Sequence, residues 1–210
     1  MSIRIRYKST TPFSFRKEQA TTKFAATYSC PTPYAAKVAL IIGGIRAGID
    51  PTVFTKKVAP LKLTISPWGA GVVNTHMVKH WEVPRSDSGG GVLPNGYLSS
   101  TVVYREYLYF DGGVDLYVED EELEWLRPAL AGVNCFGKQG SFFVLTDVGP
   151  ATAPTGGIPF IGSDMKPKAK WQDVSNFSGK TIKPRIESSF SVQMTMAGGG
   201  SKFLHLKFSD

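Results

Sequence analysis

Histidine and cysteine are scarce in this chain, three of one and two of the other in 210 residues. Cys30 and Cys135 are too few for a disulfide framework and lack metal-ligand spacing. Two ordinary, partly buried thiols in a reduced cytoplasmic interior are expected. His76 and His80 stand four apart, which would share a helix face as a metal pair. Their neighbours are β-branched and glycine-rich, however, and no third Cys, His or acidic ligand stands nearby. No metal and no cofactor are expected. No charge-free apolar run reaches the length of a membrane span, and Met1 to Arg6 lacks the apolar region of a secretory leader. There is also no nucleophile motif, paired-carboxylate pattern or phosphate-binding Walker loop. The segment Gly137 to Ser141 is glycine-rich and basic, but it follows a helix and precedes a strand, the reverse of such a loop. As a backbone-amide cradle for a sugar-phosphate it is as plausible as an ordinary surface loop.

Charge is plentiful and uneven. The net charge is +7, yet residues 111–126 carry seven acids (Asp111, Asp115, Glu119, Asp120, Glu121, Glu122, Glu124) and no base, so the rest of the chain stands at +14. Acids at 119–124 suit the first turn of a helix. They do not account for the basic remainder, which suits a protein that holds a polyanion.

Local patterns predict the elements. Ser2 to Lys8 alternates, with Ile3, Ile5 and Tyr7 on one face and Arg4, Arg6 and Lys8 on the other, a strand with a core side and a basic side. Thr32 as N-cap and Pro33 as first residue open a helix over 33–47, ended by Gly48 and Pro51. Its core face is expected at Tyr34, Val38, Ile41, Ile42 and Ile45. Lys37 lies near the positive end of that helix, a poor place for a lysine unless an anion sits close by. Residues 52–62 and 102–110 read as strands, and between them a glycine-rich excursion over 66–100 reads as a protruding hairpin with its tip at Arg85 to Gly91. Asp111-Gly112-Gly113 reads as a turn between strands 102–110 and 114–118. An acidic helix over 119–131 with Pro128 follows, then a strand beyond Ser141. Residues 149–185 read as surface loops, and Ser188 to Met196 with Ser201 to Phe208 as a terminal hairpin. The order β-α-β, β-α-β predicts a ferredoxin-like α+β fold with insertions.

Aromatics interleaved with bases, at Arg4 to Lys8, Phe13 to Lys17 and Tyr104 to Tyr107, are a signature of RNA contact: rings stack on bases while Lys and Arg neutralise phosphates. Half of the aromatics in any strand must nonetheless be core.

Three segments, Ser29 to Leu40, Val103 to Leu108 and Phe136 to Phe142, together resemble the fifth family of CRISPR-associated proteins, RAMP-superfamily subunits of type I Cascade surveillance complexes. The resemblance spans residues 1 to about 147; nothing in 148–210 matches. It implies a modified ferredoxin-like (RRM-like) domain over 1–147 with a thumb hairpin inserted at about 64–101, and a β-rich extension over 148–210 packed on it. It further implies a subunit that caps the 5′ handle of the guide RNA and bridges the large and backbone subunits, with target DNA near the protospacer-adjacent motif as a further contact. By position, the RNA-binding residues would be Tyr28, Ser29, Lys37, Asn74, His76, Lys79, His80, Arg105, Lys138, Gln139 and Ser141. The tyrosine, lysine and histidine trio with which one subtype cuts RNA is not matched, since Lys138 has no adjacent histidine. The short length and compact tail also resemble members carried by CRISPR-associated transposons. The expectation is a non-catalytic RNA-binding subunit. Its rivals are a metal-independent endoribonuclease, with His76 or His80 as base and Lys79 stabilising the transition state, and a self-assembling shell protein.

Overall fold

The computed structural model describes residues 2–16, 24–28, 30–82, 99–137 and 140–153, and the backbone of 169–178, 181–195 and 204–207. Its elements run β1 (Ser2–Ser9), β2 (Phe24–Ala25), α1 (Pro33–Arg46), α2 (Pro51–Val58), β3 (Thr64–Glu82), β4 (Ser99–Glu119), α3 (Asp120–Leu130), β5 (Phe143–Pro150), β6 (Ala169–Ser178), β7 (Thr181–Thr195) and β8 (Leu204–Lys207). The architecture is mixed α+β. One sheet has the order β5-β1-β4-β3-β8-β7-β6, with β2 pairing β4 in parallel. β1 is antiparallel to both β4 and β5, and β4 to β3.

The alternation of β1 is realised as expected. Ile5 and Tyr7 are fully buried and the Tyr7 hydroxyl donates to the Leu130 carbonyl of α3 at 2.9 Å. Its phenol pKa is driven upward by that burial. The core forms between the sheet and α1 and α3, from Ile5, Ile65, Leu108, Leu116, Leu40, Leu126 and Leu130. Phe13, Phe136 and Phe143 close one end of it.

The Thr32 side chain caps α1 through the Ala35 amide and Pro33 occupies the first turn, while Gly48 ends the helix at φ +80°. The buried stripe is not the isoleucine stripe. Ala36, Ala39, Leu40, Gly43 and Gly44 face inward, and Ile42 and Ile45 are exposed. The physical reason is close approach: a Cβ on Gly43 would meet the Ala129 carbonyl of α3 and, at 2.9 Å, Val133, and one on Gly44 would meet the Phe54 ring at 2.5 Å.

Three further expectations are corrected. Residues 51–58 form a helix, because the Asp50 carboxylate accepts from the Val53 amide at 2.8 Å and Pro51 takes the first turn, which outweighs the β-branched composition. Asp111-Gly112-Gly113 is no turn: β4 continues through it. The two glycines stand where neighbouring backbones come close, since a Cβ on Gly112 would strike the Trp68 carbonyl and one on Gly113 the Tyr7 carbonyl. Finally, part of the tail expected as loop is paired strand, β6 against β7. Register shifts at Val174/Ser175 and Phe177/Ser178 break the period of two there, and Pro184 lies within β7. The terminal hairpin appears as β7 against β8. Pro128 sits inside α3.

Candidate nucleic-acid interface

The long hairpin of β3 and β4 pairs without a register shift from Thr64↔Tyr117 to Glu82↔Ser99, and its tip over 85–91 lies outside the described residues. Because side chains alternate, this register decides which residues share a surface. Ile65, Val73, Leu108 and Leu116 point to the helices. The opposite face of the same strands therefore carries Ser66, Trp68, Val72, Asn74 and His76 from β3 and Arg105, Tyr107, Tyr109, Asp111, Asp115 and Tyr117 from β4. Arg4, Arg6 and Lys8 of β1 extend it, opposite Tyr117, Asp115 and Gly113.

Contacts across this open face follow the register. His76 lies directly opposite Arg105, its Nε2 is 3.1 Å from the Tyr109 hydroxyl, and its ring meets Tyr107 edge-on at 5.3 Å. Arg6 makes a two-pronged ion pair with Asp115, at 2.8 and 2.7 Å, and its guanidinium lies 4.5 Å over the Trp68 ring. That hydrogen bonding raises the Arg6 pKa further, and burial, with Asp115 close by, raises that of Tyr117. Arg4 pairs with Asp147 at 2.6 Å and holds that carboxyl below its ordinary range. Two of the three β1 cations are thus matched by acids. Among the described residues, Lys8 and Arg105 are the open-face cations without a hydrogen-bond or ion-pair partner.

Asn74, His76 and Arg105 come together as a half-buried group on this face. Lys79 does not join them. It stands one residue out of phase, on the other face of the hairpin, with its ammonium 4.4 Å from the Trp81 ring centroid. There it borders exposed Met77, Trp81, Val102 and Tyr104. Tyr28, Lys37 and Ser141 are buried, at 4% exposure each, so none presents its side chain to a ligand. Lys37 donates to the Ala59 carbonyl at 2.8 Å, which caps the negative end of α2. The anion inferred beside it is a helix terminus of the same chain. Ser29, Lys138 and Gln139 lie outside the described residues, as does the side chain of His80. The cations Lys37, Lys79 and Arg105 consequently share no groove. Sequence reasoning does not single out Tyr109 or Tyr117; strand pairing sets Tyr109 opposite Val72 and Tyr117 between Thr64 and Arg4 on the open face.

Among the described residues no group of three or more His, Cys, Asp or Glu could hold a metal, and no helix is long and apolar enough to cross a membrane.

No protein-family model matches the chain, and no curated protein does. Among solved structures, the chain is similar to a CRISPR protein from Archaeoglobus fulgidus, at 11% identity and a TM-score of 0.50, over 100% of this chain and 92% of that one. The likeness is one of fold. A chain of the type III-B Cmr-beta complex, solved with cognate target RNA and AMPPnP, aligns over 98% of this chain and 84% of its own at 9% identity. Its TM-score of 0.33 is too low to define a shared fold.

Proposed function

We propose that this protein is a guide-RNA-binding subunit of a CRISPR surveillance complex, one that holds RNA without cutting it. The observation that carries the reading is the open sheet face, where Trp68, Tyr107, Tyr109 and Tyr117 stand among Arg4, Arg6, Lys8, Arg105 and His76. A four-stranded sheet with aromatics and cations on its uncovered side is how RRM-like domains stack unpaired bases and hold their phosphates. The part of the sheet ordered β5-β1-β4-β3, with helices after its first and third strands in the chain, agrees with the ferredoxin-like connectivity of the RAMP superfamily. Fold similarity to a CRISPR protein supports the same context. The finer assignment is a type I Cascade subunit that caps the 5′ handle and bridges the large and backbone subunits through the β3–β4 thumb.

The test is binding of single-stranded repeat RNA as a function of salt. If about four phosphates are contacted, the logarithmic slope for a single strand is roughly −0.7 per contact, so affinity falls about fifty-fold between 50 and 200 mM salt. Absence of binding, or a flat salt response, would refute the reading.

One observation favours a second reading, RNA cleavage: the Tyr109 hydroxyl lies 3.1 Å from His76, with Arg105 opposite. A histidine beside a phenol and a cation could move a proton at a ribose hydroxyl. Lys79 is on the wrong face for the stabilising role, and Arg105 would take it. Cutting of repeat RNA in EDTA, lost in His76→Ala, would favour this enzyme over the holding subunit.

A further inference from the structure

β1 leaves the sheet after Ser9, and the chain returns to β4 only at the Phe13↔Leu108 bridge. The intervening loop arches aside and leaves a cleft of about 470 Å³ against β3 and β4, lined by Ser9, Thr10, Thr11, Val72, Tyr109 and Asp111 among others. That volume falls in the range of roughly 300–1,000 Å³ usual for small-ligand sites. The loop wall is held by its own bonds. Thr11 donates to the Gly140 carbonyl and accepts from the Phe142 amide, both at 2.8 Å, and Thr10 is bonded to the Phe142 carbonyl.

Three lining residues stand by register on the open face, Val72, Tyr109 and Asp111, and the last two carry groups that can read a base. Tyr109 is 42% exposed, and its hydroxyl is anchored by His76, which fixes the ring without covering it. Asp111 is exposed, and among the described residues its carboxylate has no hydrogen-bond or ion-pair partner. An aromatic face suits a planar ligand. A carboxylate there repels phosphate and takes only hydrogen-bond donors, two of them side by side when both oxygens are used. Of the four RNA bases, guanine alone places two adjacent N–H donors, N1–H and the 2-amino group, on one edge.

We propose that this cleft is a guanine pocket, in which an unpaired guanine stacks on Tyr109 and is read by the Asp111 carboxylate. The inference deepens the RNA-binding reading and rests on it. It gives the interface a base preference that its phosphate contacts could not provide.

The experiment uses the full chain and fluorescently labelled uridine octamers carrying one central guanine, one inosine, or no substitution. Inosine keeps N1–H and loses only the 2-amino group. Wild-type protein should bind the guanine octamer about tenfold or more tighter than the inosine and all-uridine octamers, the range of a hydrogen bond to a charged group. Asp111→Asn should bring the guanine-to-inosine ratio close to one. Tyr109→Leu should weaken the guanine octamer about five- to a hundredfold, the range of base–aromatic stacking. Circular dichroism melts show whether each variant is folded. Equal wild-type affinity for guanine and inosine, or a preference that survives Asp111→Asn, overturns the pocket and leaves RNA binding intact. No binding of any octamer, or of repeat RNA, overturns both the pocket and the proposed function.

Discussion

Replacing Lys37 with methionine separates the two roles this residue can have, phosphate contact or internal strut. Methionine keeps the unbranched apolar stem and removes the ammonium, so packing within α1 is nearly conserved. The loss includes the 2.8 Å bond to the Ala59 carbonyl at the end of α2. A buried hydrogen bond to a charged group contributes about 1.5–3 kcal/mol, and some of that is returned because an ammonium no longer has to be desolvated. The net loss should be about 1–2 kcal/mol. For a chain of this size each kcal/mol lowers Tm by about 2–4 °C, so a drop of about 2–8 °C is expected by differential scanning calorimetry. RNA affinity, measured well below both melting points, should change less than about twofold, because a side chain 4% exposed offers a phosphate nothing. An unchanged Tm with RNA binding weakened tenfold would refute this reasoning and restore Lys37 as an anion ligand.

Arg105→Gln should weaken repeat-RNA binding and make its salt slope about 0.7 shallower, the contribution of one single-strand phosphate contact; an unchanged slope would remove Arg105 from the interface. Gly43→Ala sets helix propensity, which favours alanine by about 1 kcal/mol, against the steric clash with Ala129 and Val133 of about 1–3 kcal/mol. The clash involves backbone, so net destabilisation of about 1–2 kcal/mol is expected in urea unfolding, and a more stable variant would contradict the close α1–α3 approach. Burial pushes the Cys30 thiol up to about 12. Its pKa is higher folded than unfolded, so the native state binds the extra proton and this contribution to stability is present below about pH 9 and falls away toward pH 12. At pH 8 iodoacetamide should therefore leave Cys30 unlabelled in native protein and label it after denaturation, as read by peptide mass spectrometry.

Much of the fold is legible in local pattern. The alternation of Ile3, Ile5 and Tyr7 with Arg4, Arg6 and Lys8 identifies β1 and its two faces, and the Thr32–Pro33 cap places the start of α1 to the residue. Both follow from backbone geometry that a few neighbouring residues impose. The outer part of the β3–β4 hairpin is visible in the same way, from a strand-like run bounded by glycine. Misreadings arise where a local signal has two meanings. Thr52, Val53 and Thr55 favour a strand until the Asp50 cap is weighed, and paired glycines mark a turn or a close backbone contact with equal right.

The candidate site was decided elsewhere. The field of its own helix points to Lys37 as an anion ligand, while its partner is the end of a different helix, 22 residues further on. The bases of β1 look free in the chain, yet Asp115 and Asp147 lie 109 and 143 residues away and neutralise two of them. Lys79 stands three residues from His76 on one strand, so alternation alone puts it on the opposite face, whereas His76 meets Arg105 only through the β3–β4 register. Amino-acid order dictates which surfaces each segment can offer, because periodicity and capping act over a few residues. Which charges cancel, which rings adjoin and where a cleft opens depend on strand pairing and helix approach across the whole chain, which arise only when the core closes.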